Sequence, residues 1–150
     1  MWSHYSNGHR GVCLGFSVAD TSIFSDARPI EYSDEYPLIK YFAMAPEQRV
    51  SKMLLTKSRH WRYEQEWRVF RTDGPGLAIC PAGTLVRVVL GCGIRPSDRD
   101  EIVALAVGLP HVPEIYQAMR SPSKFALELL NVDNRMPPSN KRMEPTRAGA

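Results

Sequence analysis

The segment from Thr84 to Gly91 is nearly all apolar and rich in β-branched side chains, and it constrains the fold more than any other segment. A run of this kind predicts a central β-strand that is buried on both faces. Such a strand needs neighbouring strands and covering elements, so the chain must fold around a sheet. A helix is predicted to follow from Pro96 to about Gly108, with Ser97 as its N-cap and acidic residues in its first turn.

The other apolar segments supply the partners that this strand requires. Residues 11–17 predict a buried strand, and residues 28–33 predict an edge or half-buried strand. Residues 46–55 predict a helix, because their apolar side chains recur at three- and four-residue steps after a proline. Residues 113–119 and 124–130 alternate around a tight turn and predict a β-hairpin. The sequence therefore predicts an α+β fold with a mostly antiparallel or mixed sheet of about six strands and two or three helices.

The length of 150 residues fits one domain with one core. We expect a single globular domain over residues 1–133 and a disordered tail over residues 134–150, where prolines and polar residues replace apolar ones. The tail accounts for the mildly basic net charge of +3, so the body is near neutral and no specific nucleic-acid partner is indicated.

The three cysteines each lie in an apolar run and show no C-x-x-C spacing: Cys13, Cys80 and Cys92. This pattern predicts buried, reduced thiols and favours a cytoplasmic location. No stretch approaches the roughly 20 apolar residues that span a bilayer, and the N-terminus lacks the apolar segment of a signal peptide. We therefore expect no membrane partner.

Residues 60–68 hold the densest set of charged and aromatic side chains. Read as a β-strand, the segment places Glu64, Glu66 and Arg68 on one face. Two carboxylates on one face repel each other, so the pair is solvated, neutralised by Arg68, or used in chemistry. Aromatic neighbours could form one wall of a cleft. These neighbours are Trp61, Tyr63 and Trp67.

Two shorter segments supply further candidates. His4 could donate a hydrogen bond to a substrate or act as a general base, although it could equally lie in a frayed N-terminus. Lys57 belongs to the basic segment 57–60, which is either a phosphate-neutralising loop or a solvated one. The histidines lack metal-binding spacing, so we predict no metal site. No glycine-rich phosphate loop is present either.

Three motifs follow one another along the chain: Trp2-x-His4-Tyr5, Gly11-x-Cys13-Leu14-x-Phe16 and Lys57-Ser58-x-x-Trp61-x-Tyr63-Glu64-x-Glu66-Trp67-Arg68. Together they resemble a widespread bacterial family that is known only as a domain of unknown function. The resemblance covers roughly residues 1–130. Members of that family usually carry a further N-terminal segment, so the resemblance implies that this part of the domain is missing.

A looser similarity is to ADP-ribosyltransferase-like enzymes, in which a strand glutamate stabilises the oxocarbenium ion formed as nicotinamide leaves NAD. That similarity implies Glu66 as the catalytic carboxylate, Glu64 as the activator of the nucleophile and His4 as the ribose contact. It implies NAD, or another small nucleotide, as the ligand. The candidate ligand-binding residues are Tyr5, Lys57, Trp61, Tyr63 and Arg68.

Residues 140–147 resemble the read-through ending of proteins encoded on integron gene cassettes, which implies mobile adaptive cargo. The leading hypothesis is therefore a nucleotide-handling transferase or NAD hydrolase that acts in phage defence or as a toxin. The alternative is a non-catalytic binding or oligomerisation module, in which the glutamates and arginine form a structural network. A homo-oligomer is a further expectation.

Overall fold

The computed structural model describes residues 2–19, 22–71 and 74–132. The predicted tail over residues 134–150, with its integron resemblance, lies outside the described residues. In chain order the described elements are α1 (Trp2–Tyr5), β1 (Val12–Phe16), β2 (Arg28–Pro29), β3 (Glu31–Ser33), α2 (Pro46–Leu55), β4 (Thr56–Ser58), a 3₁₀ helix (Arg59–Glu64), β5 (Trp67–Arg68), β6 (Leu85–Leu90), α3 (Pro96–Val107), β7 (Glu114–Arg120) and β8 (Leu127–Asn131).

The main sheet has the strand order β1-β6-β7-β8. β6 pairs antiparallel with β1 and parallel with β7, and β7 pairs antiparallel with β8. The parallel pair requires a crossover connection, which α3 supplies. Two small sheets join β2 to β5 and β3 to β4. The predicted α+β class and mixed sheet are confirmed, and the strands beyond the expected six are very short.

The core lies where α3 packs on the middle of the main sheet. Leu90, Ile115, Val88 and Ala106 form one buried cluster, and further apolar residues of α3 pack against it. Burial of β6 on both faces is confirmed only for its C-terminal half, because Val86 and Arg87 are exposed.

Both long helices begin where the sequence predicts. Pro46 and Pro96 each occupy a first-turn position, where a missing N–H removes no helical hydrogen bond. The N-cap prediction for α3 is wrong: Arg95 is the N-cap, and the hydroxyl of Ser97 donates to the Asp98 carboxylate at 3.1 Å from within the first turn. Because Pro96 is the first residue of the helix, the N-cap is the residue before it, Arg95.

The prediction of one strand through residues 60–68 is wrong. After β4 the chain turns into the 3₁₀ helix, and Gln65 adopts a left-handed conformation with φ of 47°. Only Trp67 and Arg68 are extended in a strand, and they pair with β2. The aromatic and charged side chains of this segment therefore do not alternate across a sheet. Tertiary contacts decide its backbone in place of local periodicity.

The predicted burial of the thiols is also wrong. Cys13 and Cys80 are exposed and Cys92 is half-buried, and all three are free. Cys13 lies on β1, an edge strand that is largely open to solvent, although the prediction of a strand there is confirmed. Cys80 lies in an irregular exposed segment. Among the helices of the described residues, none has the length and apolar character needed to cross a membrane.

Candidate functional site

The amine of Lys57 lies between the two carboxylates that the sequence singles out. Its Nζ donates to Glu64 Oε2 at 2.5 Å and to Glu66 Oε2 at 2.9 Å. Lys57 is the middle residue of β4, and its parallel pairing with β3 fixes its position. Glu64 ends the 3₁₀ helix, and the left-handed turn at Gln65 directs Glu66 back toward the same amine. The carboxylates therefore converge through a turn, where the sequence predicted a shared strand face.

The remaining carboxylate oxygens also have donors. The hydroxyl of Tyr5 donates to Glu64 Oε1 at 2.6 Å, and Arg68 Nε donates to Glu66 Oε1 at 2.6 Å. Each oxygen of both carboxylates thus accepts a hydrogen bond, three of the four from a cation. We call this set the Lys57 cluster. Its members are Tyr5, Lys57, Glu64, Glu66 and Arg68.

The backbone around Glu66 is held from both sides. Its N–H donates to the hydroxyl of Tyr32 at 2.8 Å, and its carbonyl accepts the N–H of Ile30 at 2.9 Å. The guanidinium of Arg68 also donates from Nη1 to the carbonyl of Leu54, at the end of α2. Tyr32 is a site residue that sequence reasoning missed. The alternation of Ile30 and Tyr32 predicts a strand but does not identify their partner.

The hydrogen bonds of the cluster set its charge state. Donation from Lys57, and then from Tyr5, holds the pKa of Glu64 below its ordinary value. Donation from Arg68, and then from Lys57, lowers the pKa of Glu66 in the same way. The Glu64 carboxylate in turn raises the pKa of Lys57 and that of Tyr5. At neutral pH both carboxylates are anionic, which suits them to stabilise positive charge and not to donate a proton.

The two carboxylates differ in their access to solvent. The side chain of Glu64 is 4% exposed, whereas that of Glu66 is 26% exposed. An open cleft of about 430 Å³ lies against the cluster. Its lining residues are Tyr5, Lys57, Glu64, Gln65, Glu66 and Trp67. A ligand in this cleft can therefore reach Glu66 more readily than Glu64.

The aromatic residues are distributed differently from the sequence prediction. Trp61 lies over Lys57, with Nζ 5.0 Å from the ring centroid, and Tyr63 packs 6.0 Å from Trp61. Both remain exposed on the 3₁₀ helix and neither lines the cleft. Of the three aromatic residues that the sequence suggested as a cleft wall, only Trp67 lines this cleft, and Gln65 lines it without having been selected from the sequence. Their position follows from the left-handed turn, which has no glycine to signal it.

His4 is the one predicted site residue that neither belongs to the Lys57 cluster nor packs beside it as an aromatic neighbour. It lies on α1 beside Tyr5, its side chain is exposed, and it forms no hydrogen bond or ion pair with any described residue. The other seven predicted residues come together around Lys57, as members of the cluster or as its aromatic neighbours. No group of three or more metal-ligating side chains occurs within residues 2–19, 22–71 and 74–132.

Comparison with known proteins adds one finding. No curated protein matches the chain, and no solved structure matches it. Residues 1–69 match a family described as protein of unknown function (DUF2971). This span runs from α1 to β5 and includes every member of the Lys57 cluster. The part of the chain that carries the candidate site is therefore similar to a family of proteins of unknown function.

Proposed function

We propose that the Lys57 cluster and its cleft bind a ribonucleotide and that Glu66 supports cleavage of NAD there. One observation carries the proposal: a carboxylate that Lys57 and Arg68 keep ionised is partly exposed at a cleft beside an exposed tryptophan, Trp67. An ionised carboxylate can accept hydrogen bonds from ribose hydroxyls and stabilise adjacent positive charge. The exposed indole offers a flat apolar surface for a base or a nicotinamide ring.

The reaction is hydrolysis of the bond between the ribose C1′ and the nicotinamide nitrogen. That bond breaks with its electron pair leaving on nicotinamide, which departs as a neutral molecule. The developing positive charge on the ribose lies beside Glu66, and the oxygen of a water molecule then bonds to C1′ and releases its proton to solvent. The products are ADP-ribose, nicotinamide and one proton.

The other cluster members take supporting roles in this proposal. Glu64 is buried and fully hydrogen-bonded, so it positions Lys57 and Tyr5 and is a poor candidate for activating water. Lys57 and Arg68 keep Glu66 in place and ionised. His4 is exposed next to Tyr5, and its role as a ribose contact remains part of the proposal.

A second candidate function has its own supporting observation. Every carboxylate oxygen of the cluster already has a donor within the chain, which is the arrangement expected of a structural ion-pair network. On this alternative the segment 56–68 joins α2 to the two small sheets, and the chain is a binding or oligomerisation module without catalysis. Substitution of Glu66 would then weaken the fold and leave NAD unaffected.

NAD consumption by the purified chain tests the leading proposal. We expect loss of NAD with matching release of nicotinamide, followed by chromatography, and a rate lower by about a hundredfold in Glu66→Gln. Glu128→Gln is the matched control, because Glu128 is an exposed carboxylate on β8 outside the cluster. NAD that stays intact over hours with the wild-type chain would contradict the proposal.

A cellular readout extends the same test to the proposed defence or toxin role. Expression of the chain in bacteria should lower the NAD pool and slow growth, because the reaction consumes a cofactor that metabolism requires. Glu66→Gln should restore both, while Glu128→Gln should not. Growth arrest at an unchanged NAD level would separate toxicity from NAD cleavage and would count against the proposed reaction.

A further inference from the structure

A second cleft, larger than the one at the Lys57 cluster, lies where β7 turns into β8. It has a volume of about 790 Å³ and is open to solvent. One wall is His9, from the loop between α1 and β1, and the other is the connection that begins at Arg120. We call it the hairpin cleft. The residues used below are His9, Arg120, Ser121, Ser123, Lys124 and Phe125.

The charged side chains of arginine and lysine that line the hairpin cleft are positive, and no acidic side chain lines it. These two cations are Arg120 and Lys124. Neither cation forms an ion pair with a residue in the described part of the chain. Exposed arginines elsewhere form ion pairs with carboxylates: Arg87 Nη2 lies 2.9 Å from Glu114 Oε2. Two cations at one cleft that have no carboxylate partner among the described residues favour an anionic ligand.

The same cleft contains polar atoms that lack partners. Among the described residues, the buried side-chain atoms without a hydrogen bond are His9 Nδ1, Ser121 Oγ and Trp2 Nε1. The first two belong to residues that line the hairpin cleft. No described residue uses the hydrogen-bonding capacity of these two atoms, although buried polar groups are nearly always hydrogen-bonded. An imidazole nitrogen and a hydroxyl can both bond to an oxyanion.

The wall that carries His9 is built rigidly. The carbonyl of His9 accepts the N–H of Gly93 at 2.9 Å, and its ring meets the edge of Trp2 with centroids 5.6 Å apart. Its backbone is left-handed, with φ of 64°. Gly91 packs so close to the His9 carbonyl that any larger side chain would overlap it. His9 is thus held in place from both sides in the absence of a ligand.

We propose that the hairpin cleft binds a phosphate group, carried by a small molecule or free in solution. Arg120 and Lys124 supply the neutralising charge, and Ser121 and Ser123 supply hydroxyls of the kind that phosphate oxygens accept from. Phe125 is fully exposed at the same cleft and can stack on a ring attached to the phosphate. This site shares no residue with the Lys57 cluster and does not depend on the proposed function.

Calorimetric titration at constant ionic strength tests the proposal with three probes: inorganic phosphate, AMP and adenosine. We expect saturable one-to-one binding of phosphate or of AMP, and weakening by about tenfold or more in Arg120→Gln/Lys124→Gln. Lys40→Gln is the control, because it removes an exposed positive charge that is not part of this lining. Circular dichroism of each variant establishes that the fold is retained.

The probes distinguish the two sources of the phosphate. If AMP binds more tightly than phosphate and Phe125→Ala removes the difference, the ligand is a nucleotide. Equal affinities identify the phosphate group alone as the recognised feature. Absence of binding by both probes, adenosine binding as tightly as AMP, or AMP binding that Arg120→Gln/Lys124→Gln leaves unchanged would each overturn the proposal.

Discussion

Glu64 and Glu66 share one amine, yet their surroundings assign them different tasks. Glu64 is buried between Lys57 and Tyr5, so its charge serves to hold those two groups. Glu66 faces the cleft with Arg68 as its second partner. The sequence identifies both glutamates and the arginine as candidates, because charged residues rarely lie so densely among aromatic ones. Their geometry could not be read from it, since it depends on a left-handed glutamine.

The loss of folding stability at acid pH should depend on the glutamates of the Lys57 cluster. Both glutamates have a folded-state pKa below the ordinary value of 4.5, because hydrogen bonds from cations favour the ionised form. Their contribution to stability is therefore complete above that value and is lost as the pH falls through the folded-state pKa values. Glu64→Gln/Glu66→Gln should show a flatter decline below about pH 4.5 in denaturant unfolding. An equally steep decline would contradict this.

Loss of the shared amine should be more damaging than loss of an ordinary surface lysine. Lys57→Met leaves the buried Glu64 carboxylate with Tyr5 as its remaining partner, and an underpaired buried charge destabilises a fold. We expect the melting temperature to fall by several degrees, measured by circular dichroism. Lys52→Met, on the exposed side of α2, is the control and should melt close to wild type. Equal melting temperatures for the two variants would show that the cluster adds no stability.

Among the elements, α2, α3 and the hairpin of β7 and β8 are the predictable parts. Proline at the first turn marks the start of α2 and α3, and alternation around Ser121 marks β7 and β8. These signals depend only on residues that are close together in the chain, so they can be read from a single sequence. The 3₁₀ helix and the two short sheets carry no such signal. Their backbone follows from pairings such as Lys57 with Tyr32, which join segments distant in sequence.

The free energy of unfolding should be most sensitive to substitutions of buried residues on β6. Leu90 is fully buried in the core cluster, so Leu90→Ala should lower the free energy of unfolding by about 2–5 kcal/mol through lost burial and a cavity. Val86, on the same strand, is 38% exposed, and Val86→Ala should cost less than about 1 kcal/mol. Urea unfolding of both variants measures the difference. Similar losses would contradict the placement of the core under α3.

Across the whole molecule, fewer apolar side chains are buried than the composition suggests. Large apolar side chains such as Tyr36, Phe42, Leu77 and Ile79 are nearly fully exposed. The apolar fraction of 43% predicts a globular protein but does not reveal which side chains stay outside the core. The thiol prediction was wrong for the same reason. Cys13 and Cys80 lie in apolar runs whose burial depends on neighbours that the run itself does not specify.

The extent of this exposed apolar surface is relevant to whether copies of the chain associate. A homo-oligomer remains a prediction, and it would cover part of that surface. Sedimentation equilibrium should then give a mass that is a multiple of 17.0 kDa at micromolar concentration. A mass of one chain at every concentration would contradict the prediction.

The Lys57 cluster should bind a ligand and not serve only as an ion-pair network. The most direct test is a ¹H–¹⁵N NMR titration of the whole chain with NAD. We predict saturable shifts of the amides of Gln65 and Glu66 and of the indole N–H of Trp67, which belong to residues that line the cleft. NAD that produces no saturable shift at these groups, or that shifts only groups of the hairpin cleft, would show that the Lys57 cluster is not a site for NAD.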